Sequence, residues 1–157
     1  MGLLLEYETA RREEDLARLR RVIALRAMLA TGATQQQIAR ELGISQPAIS
    51  QQLKFAPNLE SIHPKLLLDA AAPVIKVLAE ERGYTDIAVF GSVARGEARQ
   101  DSDIDLLINS PAGASSFDFV GFKLLLEHVL GRTIDLVERG GLTPHLDDDI
   151  RREAVLL

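Results

Sequence analysis

The apolar residues of this chain change their spacing once, after Gly83, and that change limits the folds open to it. From Asp15 to Ala30, Leu16, Leu19, Val22, Ile23, Ala27 and Ala30 recur at intervals of three and four with arginines between them, the pattern of an amphipathic helix. Beyond Gly83, Asp86–Phe90, Ile104–Ile108 and Thr133–Val137 are short runs rich in β-branched and bulky residues, bounded by glycine or by Asn109, Ser110 and Pro111, and read as strands. The expected class is α+β, an all-helical N-terminal unit followed by a unit of strands and helices.

Helix boundaries divide the first unit further. Gly32 ends the first helix. Thr34 with Gln37 makes a capping box, Ile38, Ala39 and Leu42 share one face, and Gly43 suits a left-handed C-terminal residue. Ser45 can cap the next helix, which tolerates Pro47 in its first turn and carries Ile49 and Leu53 on its inner face as far as Lys54. The spacing over Thr34–Lys54 is that of a DNA-reading helix-turn-helix. Ile38, Leu42, Ile44, Ile49 and Leu53 are its expected joint core, and the second helix projects Gln46, Ser50 and Gln51, with Lys54 near its end. Glutamine can pair two-handed with adenine, serine is permissive, and Arg40 or Lys54 can bind phosphate. The segment resembles the helix-turn-helix of Cro- and repressor-type regulators. That resemblance implies a double-stranded DNA operator read by a dimer at half-sites about one helical turn apart. Leu3–Tyr7 and the first helix are candidates for the dimer surface.

Pro57, Asn58, His63 and Pro64 punctuate the stretch that follows, expected to be a linker ending in a short helix over Lys65–Ala71. Pro73 suits the first turn of a new helix ending near Arg82. Phe117–Leu130 reads as a helix capped by Ser115 or Ser116 and stopped at Gly131, and a last helix is expected from Pro144 to about Val155. The division is a helix-turn-helix domain over residues 1–56, a linker over 57–72 and a second domain over 73–157.

The second domain carries the chemistry. Gly91 and Ser92 follow a strand and precede a short helix, so bare N–H groups and a hydroxyl meet at a helix N-terminus, which suits an anion such as a triphosphate. Asp103 and Asp105 lie two apart on a strand and share a face, while Ile104 and Leu106 take the other. Asp135 stands alone on its face of a later strand, between Ile134 and Leu136. If the two strands are neighbours, three carboxylates converge. Such a donor set, with room for water and phosphate, suits Mg²⁺, and two ions could activate a hydroxyl and steady a leaving pyrophosphate. His63, His128 and His145 have no ligand-like spacing, and Asp147–Asp149 read as a solvated helix start.

These residues resemble the minimal nucleotidyltransferase family of the DNA polymerase β-like superfamily, whose signature is G-S-x-x-R-G followed by S-D-x-D. Here it stands as Gly91-Ser92-Val93-Ala94-Arg95-Gly96 and Ser102-Asp103-Ile104-Asp105, and the likeness runs from about Pro73 to the end. The resemblance implies a small mixed sheet, with Gly91, Ser92 and Arg95 as nucleotide contacts. It also implies Asp103, Asp105 and Asp135 as catalytic, metal-binding carboxylates for Mg²⁺ with ATP as substrate. Arg95 could equally be structural. Since nothing follows Leu157 to shape an acceptor, the acceptor is expected on another molecule. In the family, AMP is often transferred to a hydroxyl of a HEPN-type toxin. The leading expectation is an antitoxin that represses its own operon, as a homodimer or a hetero-oligomer with the toxin. The alternatives are a non-enzymatic regulator sensing a nucleotide, and a transferase acting on a small molecule.

Charge agrees with that split. The formal net charge is -5, yet residues 1–56 carry eight Lys/Arg against six Asp/Glu, and residues 57–157 carry ten against seventeen. There is no cysteine, which fits a reducing cytoplasm, and no apolar run approaches the ~20 residues of a membrane span. Leu3-Leu4-Leu5 lacks the flanks of a secretory signal, and Gly2 does not fit myristoylation because Glu6 stands where Ser or Thr belongs.

Overall fold

In a computed structural model describing all residues 1–157, a helix α1 of 29 residues spans Gly2–Ala30. It starts well before the Asp15 expected from the apolar spacing, because its first turns are helical without packing on anything. α2 (Gln35–Leu42) begins at the expected capping box: the Gln37 N–H donates to Thr34 Oγ1 at 3.1 Å and the Thr34 N–H donates to Gln37 Oε1 at 2.8 Å. Gly43 closes it in the left-handed conformation, with φ of 68°. α3 (Gln46–Lys54) is capped by Ser45, which accepts from the Ala48 N–H.

The core under these helices differs from the expected one. Ile38, Ala39 and Ile49 are buried together with Leu25 of α1, and Leu53 packs against them, but Leu42 is 54% and Ile44 40% exposed. The long first helix already fills the space that those two residues were expected to fill.

The expected linker is only partly one. A short 3₁₀ turn covers Leu59–Ser61, and from Pro64 the chain enters a continuous helix, α4 (Pro64–Glu81), so residues 64–72 are its first half. His63 caps it, its Nδ1 accepting from the Lys65 N–H while Nε2 meets the Ala98 carbonyl. Pro73 lies inside this helix and removes one N–H without ending it. Leu67, Leu68, Ala70, Ala71, Ile75, Leu78 and Ala79 are buried on both sides of the proline. Their burial at ~25 cal/mol per Å² outweighs the ~3 kcal/mol that an interior proline costs.

β1 (Thr85–Phe90), α5 (Gly91–Arg95), β2 (Ile104–Asn109), α6 (Ser116–Leu130) and β3 (Ile134–Glu138) follow the expected order within a residue or so. A 3₁₀ turn (Arg139–Gly141) leads to α7, and here the expectation fails again: α7 covers only Asp148–Glu153, and Val155–Leu156 form a strand, β4. The residues after Ala154 find unpaired backbone groups on the edge of β1, which one more helical turn would have left open.

The sheet order is β3-β2-β1-β4, with β2 and β3 parallel and β1 antiparallel to both β2 and β4. The alternation of side chains gives the sheet two apolar faces. Ile87, Val89, Ile104, Leu106, Ile108, Ile134 and Leu136 pack with α4, α6 and the Leu19, Ile23 and Ala27 side of α1. Ala88, Phe90 and Leu107 pack on the other face against Leu142, with Ile150 and Ala154 beside them. Thus α1 serves both parts of the chain, and Arg26 fastens it to the end of α6 by donating to the carbonyls of Val129 (2.8 Å) and His128 (2.7 Å). No helix is long and apolar enough to cross a membrane.

Candidate nucleotide site and helix-turn-helix

The register of the two parallel strands decides which acids meet. Ile104 faces Ile134, Asp105 faces Asp135 and Leu106 faces Leu136, so the two carboxylates stand side by side on neighbouring strands, typically ~4.8 Å apart. Asp103 precedes β2 by one residue and shares their face. Asp103 and Asp135 are exposed and Asp105 is half-buried. Burial, followed by the negative charges of Asp135 and Asp103, pushes the Asp105 carboxyl up from 3.8 to about 6; Arg95 opposes this, and Glu153 adds to it. The acids are close enough to repel one another.

β1 ends one strand away, at Phe90, and turns sharply into α5 through Gly91. Gly91 is buried with φ of +69°, and a Cβ placed on it would lie 2.0 Å from Asp105 Oδ2. The Asp105 carboxylate therefore lies directly against the backbone of the Gly-Ser turn. Ser92 is half-buried in the first turn of α5, and Gly96 ends that helix.

Sequence reasoning missed one residue here, Glu153. It comes from the end of α7, and its Oε1 accepts the Gly91 N–H at 3.0 Å while Oε2 accepts from Arg95 at 3.0 Å. Arg95 also donates to Glu97, and the two carboxylates keep its guanidinium protonated beyond the usual range. The N–H offered to an anion is thus already held by a carboxylate, and Arg95 is gathered into that contact rather than turned to Asp105. The only signal in the sequence is an acid shortly before an apolar tail, which is too common to single out.

No three His, Cys, Asp or Glu side chains stand in metal-holding geometry as they lie. The donor set nevertheless fits a hard divalent cation. All donors are carboxylate oxygens, two are in register and a third is adjacent, and after burial it is the negative charges of Asp135 and Asp103 that raise the Asp105 carboxyl, a repulsion that a cation would relieve. Mg²⁺ is commonly held by one or two carboxylates together with water and substrate phosphate rather than by a closed protein cage.

Residues 73–157, more than half the chain, match the nucleotidyltransferase domain family. The chain belongs to this family. Its nucleotidyltransferase part is 39% identical over 80 residues to the protein adenylyltransferase MntA of Thermococcus cleftensis, covering 51% of this chain and 81% of that protein. It is 39% identical over 82 residues to a Methanocaldococcus jannaschii protein provisionally named a protein adenylyltransferase, covering 52% of this chain and 87% of that one. Among solved structures, a protein provisionally assigned as a minimal nucleotidyltransferase superposes with a TM-score of 0.54 at 42% identity, over 59% of this chain and 95% of its own. Residues 17–57 match sigma-70 region 4, which is of helix-turn-helix type. The match bears out the helix-turn-helix reading of the segment.

In that segment Gln46, Ser50, Gln51 and Lys54 are all exposed on α3. Gln46 Nε2 donates to Gln35 Oε1 at 2.7 Å, which ties the start of α3 to the start of α2. Lys54 lies over the Phe55 ring, 5.7 Å from its centre.

Proposed function

We propose that this nucleotidyltransferase is an autoregulating antitoxin that transfers AMP from ATP to a hydroxyl of a HEPN-type toxin and binds its own operator through α3. The observation that carries the catalytic half is the register of Asp105 and Asp135, with Asp103 beside them, against the Gly91–Ser92 turn. Support for a protein acceptor comes from the Thermococcus cleftensis relative, a protein adenylyltransferase.

In the reaction, the acceptor hydroxyl oxygen forms a bond to the α-phosphorus of ATP, the bond from that phosphorus to the β-phosphate oxygen breaks, and pyrophosphate leaves. Asp135, the most exposed of the paired acids, takes the hydroxyl proton. The Gly91 N–H and the Ser92 hydroxyl hold the β- and γ-phosphates, and for this a phosphate oxygen takes the N–H from Glu153. Arg95, released by the same exchange, can follow the charge. Asp103, Asp105 and Asp135 would hold Mg²⁺, which when bound supplies the positive charge that lowers the pKa of the hydroxyl and steadies the triphosphate.

The test is intact mass measurement after incubating the protein with Mg²⁺, ATP and the product of its neighbouring gene. One or more added AMP units on that product, none with Asp103→Asn, is the expected result. Nucleotide bound without mass gain on either protein would replace the transferase with a nucleotide-sensing regulator. For the DNA half, Gln46→Ala with Gln51→Ala should weaken operator binding roughly 30-fold or more, since each two-handed base contact is worth about 1–3 kcal/mol. Unchanged binding in a mobility-shift titration would remove α3 as the reading helix.

A further inference from the structure

The N-terminal half of α1 stands clear of the rest of the molecule. From Gly2 to Asp15 every residue except Thr9 is exposed, and Leu3 (88%) and Tyr7 (68%) are among the most exposed apolar groups. At helical spacing, Leu3, Leu4, Tyr7, Arg11, Glu14 and Arg18 fall on one exposed stripe that continues to Arg21 and ends at Val22, which is already buried. There the stripe becomes one wall of a groove of about 470 Å³, whose other wall is formed by Ala48, Gln51, Gln52 and Phe55 at the end of α3.

We infer that this stripe is a homodimer interface in which two α1 helices pair antiparallel about a two-fold axis passing between Arg12 and Glu13. In that register Arg11 of one protomer meets Glu14 of the other, Ala10 meets Asp15, Tyr7 lies on Arg18, Leu4 meets Arg21, and Leu3 comes opposite the buried Val22, its contact in the groove falling to the exposed Phe55. Every pair occurs twice, as an isologous contact requires. Charge singles out the arrangement. Sliding the helices by one turn in one direction sets Arg11 against Arg11, and in the other direction sets Glu14 against Glu14 or Asp15. A parallel pairing opposes like charges along the whole stripe. The inferred register matches opposite charges, rests the Tyr7 ring on a guanidinium and buries the leucines in the one place on the stripe that offers an apolar wall. Within a single protomer Glu14 has only the exposed Arg18 beside it, at 3.2 Å, so it is free to be shared. The paired length, Leu3 to Val22, is about five helical turns. The occupied side of α3 is that of Ala48, Gln51, Gln52 and Phe55, so Gln51 stands at the border of the interface, while Gln46, Ser50 and Lys54 lie outside the groove in both protomers.

Sedimentation equilibrium on the full chain tests this. The native protein should be a dimer, and Leu3→Arg with Leu4→Arg, which sets like charges against Arg21 and Arg18, should weaken association about a hundredfold or more. Arg11→Glu alone and Glu14→Arg alone should each weaken it about tenfold, since each turns two attractions into two repulsions. The two reversals together should restore it to within about threefold of native. All four positions are exposed, so circular dichroism should show native helix content throughout. A native chain that sediments as a monomer overturns the interface, as does a leucine variant that stays dimeric. A double reversal as weak as the single ones overturns the register.

Discussion

Asp105→Asn should reduce nucleotidyl transfer by roughly three orders of magnitude or more while making the metal-free protein more stable at pH 7. The two effects have one cause. Asp105 is half-buried, lies against the Gly91 backbone and faces Asp135, so its charge is disfavoured and its carboxyl titrates at about 6 instead of 3.8. A folded state that holds a proton more tightly than the unfolded state has its full stability below the unfolded value, near pH 4, and loses it as pH rises through about 6. At pH 7 the whole penalty is present. A shift of this size would correspond to about 3 kcal/mol for a fully buried group; solvent at this half-buried site reduces it to the order of 1–2 kcal/mol. Asparagine carries no charge to disfavour. Urea denaturation without divalent cations should therefore show the native protein losing stability between pH 4 and pH 6.5, and the variant nearly flat over that window. A variant less stable than native at pH 7, or one that still transfers AMP at the native rate, would show that Asp105 is an ordinary structural acid.

The acids of the site were legible in the sequence because strand geometry leaves no choice. Once Ile104, Leu106, Ile134 and Leu136 are assigned to the core, Asp103, Asp105 and Asp135 must take the opposite face, and neighbouring strands bring them together. The same local logic located α2 and α3, whose caps and turn lie within their own residues. What could not be read depended on partners distant in sequence. Pro73 signals a helix start by itself, and only the shared burial of Leu67, Leu68, Ile75 and Leu78 makes one helix of the two expected pieces. Residues 155 and 156 form a strand because β1 has a free edge, a fact about Thr85–Phe90 rather than about the tail. The hold of Glu153 on Gly91 spans 62 residues and depends on where α7 comes to rest. Leu42 and Ile44 looked like core because a two-helix unit would need them, whereas Leu25 of α1 already fills the joint.

Gly91→Ala should be as damaging as losing an acid, though the residue bears no functional group. Its φ of +69° is one that alanine adopts at a cost of roughly 1–2 kcal/mol, and its missing Cβ is the space in which Asp105 Oδ2 lies. At 2.0 Å a methyl group and a carboxylate oxygen cannot coexist, so either β1 must draw back from β2 or the carboxylate must rotate away from Asp135. The first breaks the pairing of Phe90 with Asp105 and moves the N–H from the place where a phosphate would meet it; the second dissolves the pair of acids. Transfer should fall at least a hundredfold, since displacements of about 1 Å at a reacting centre cost that much, and stability should fall by about 2–4 kcal/mol. Ser92→Ala is the control that separates geometry from chemistry. It removes the hydroxyl but leaves the turn, so it should weaken nucleotide binding without a comparable loss of stability. If Gly91→Ala melted with the native protein and transferred AMP normally, the close approach of the carboxylate to the turn would have no part in the reaction, and the nucleotide would have to be held elsewhere on the sheet.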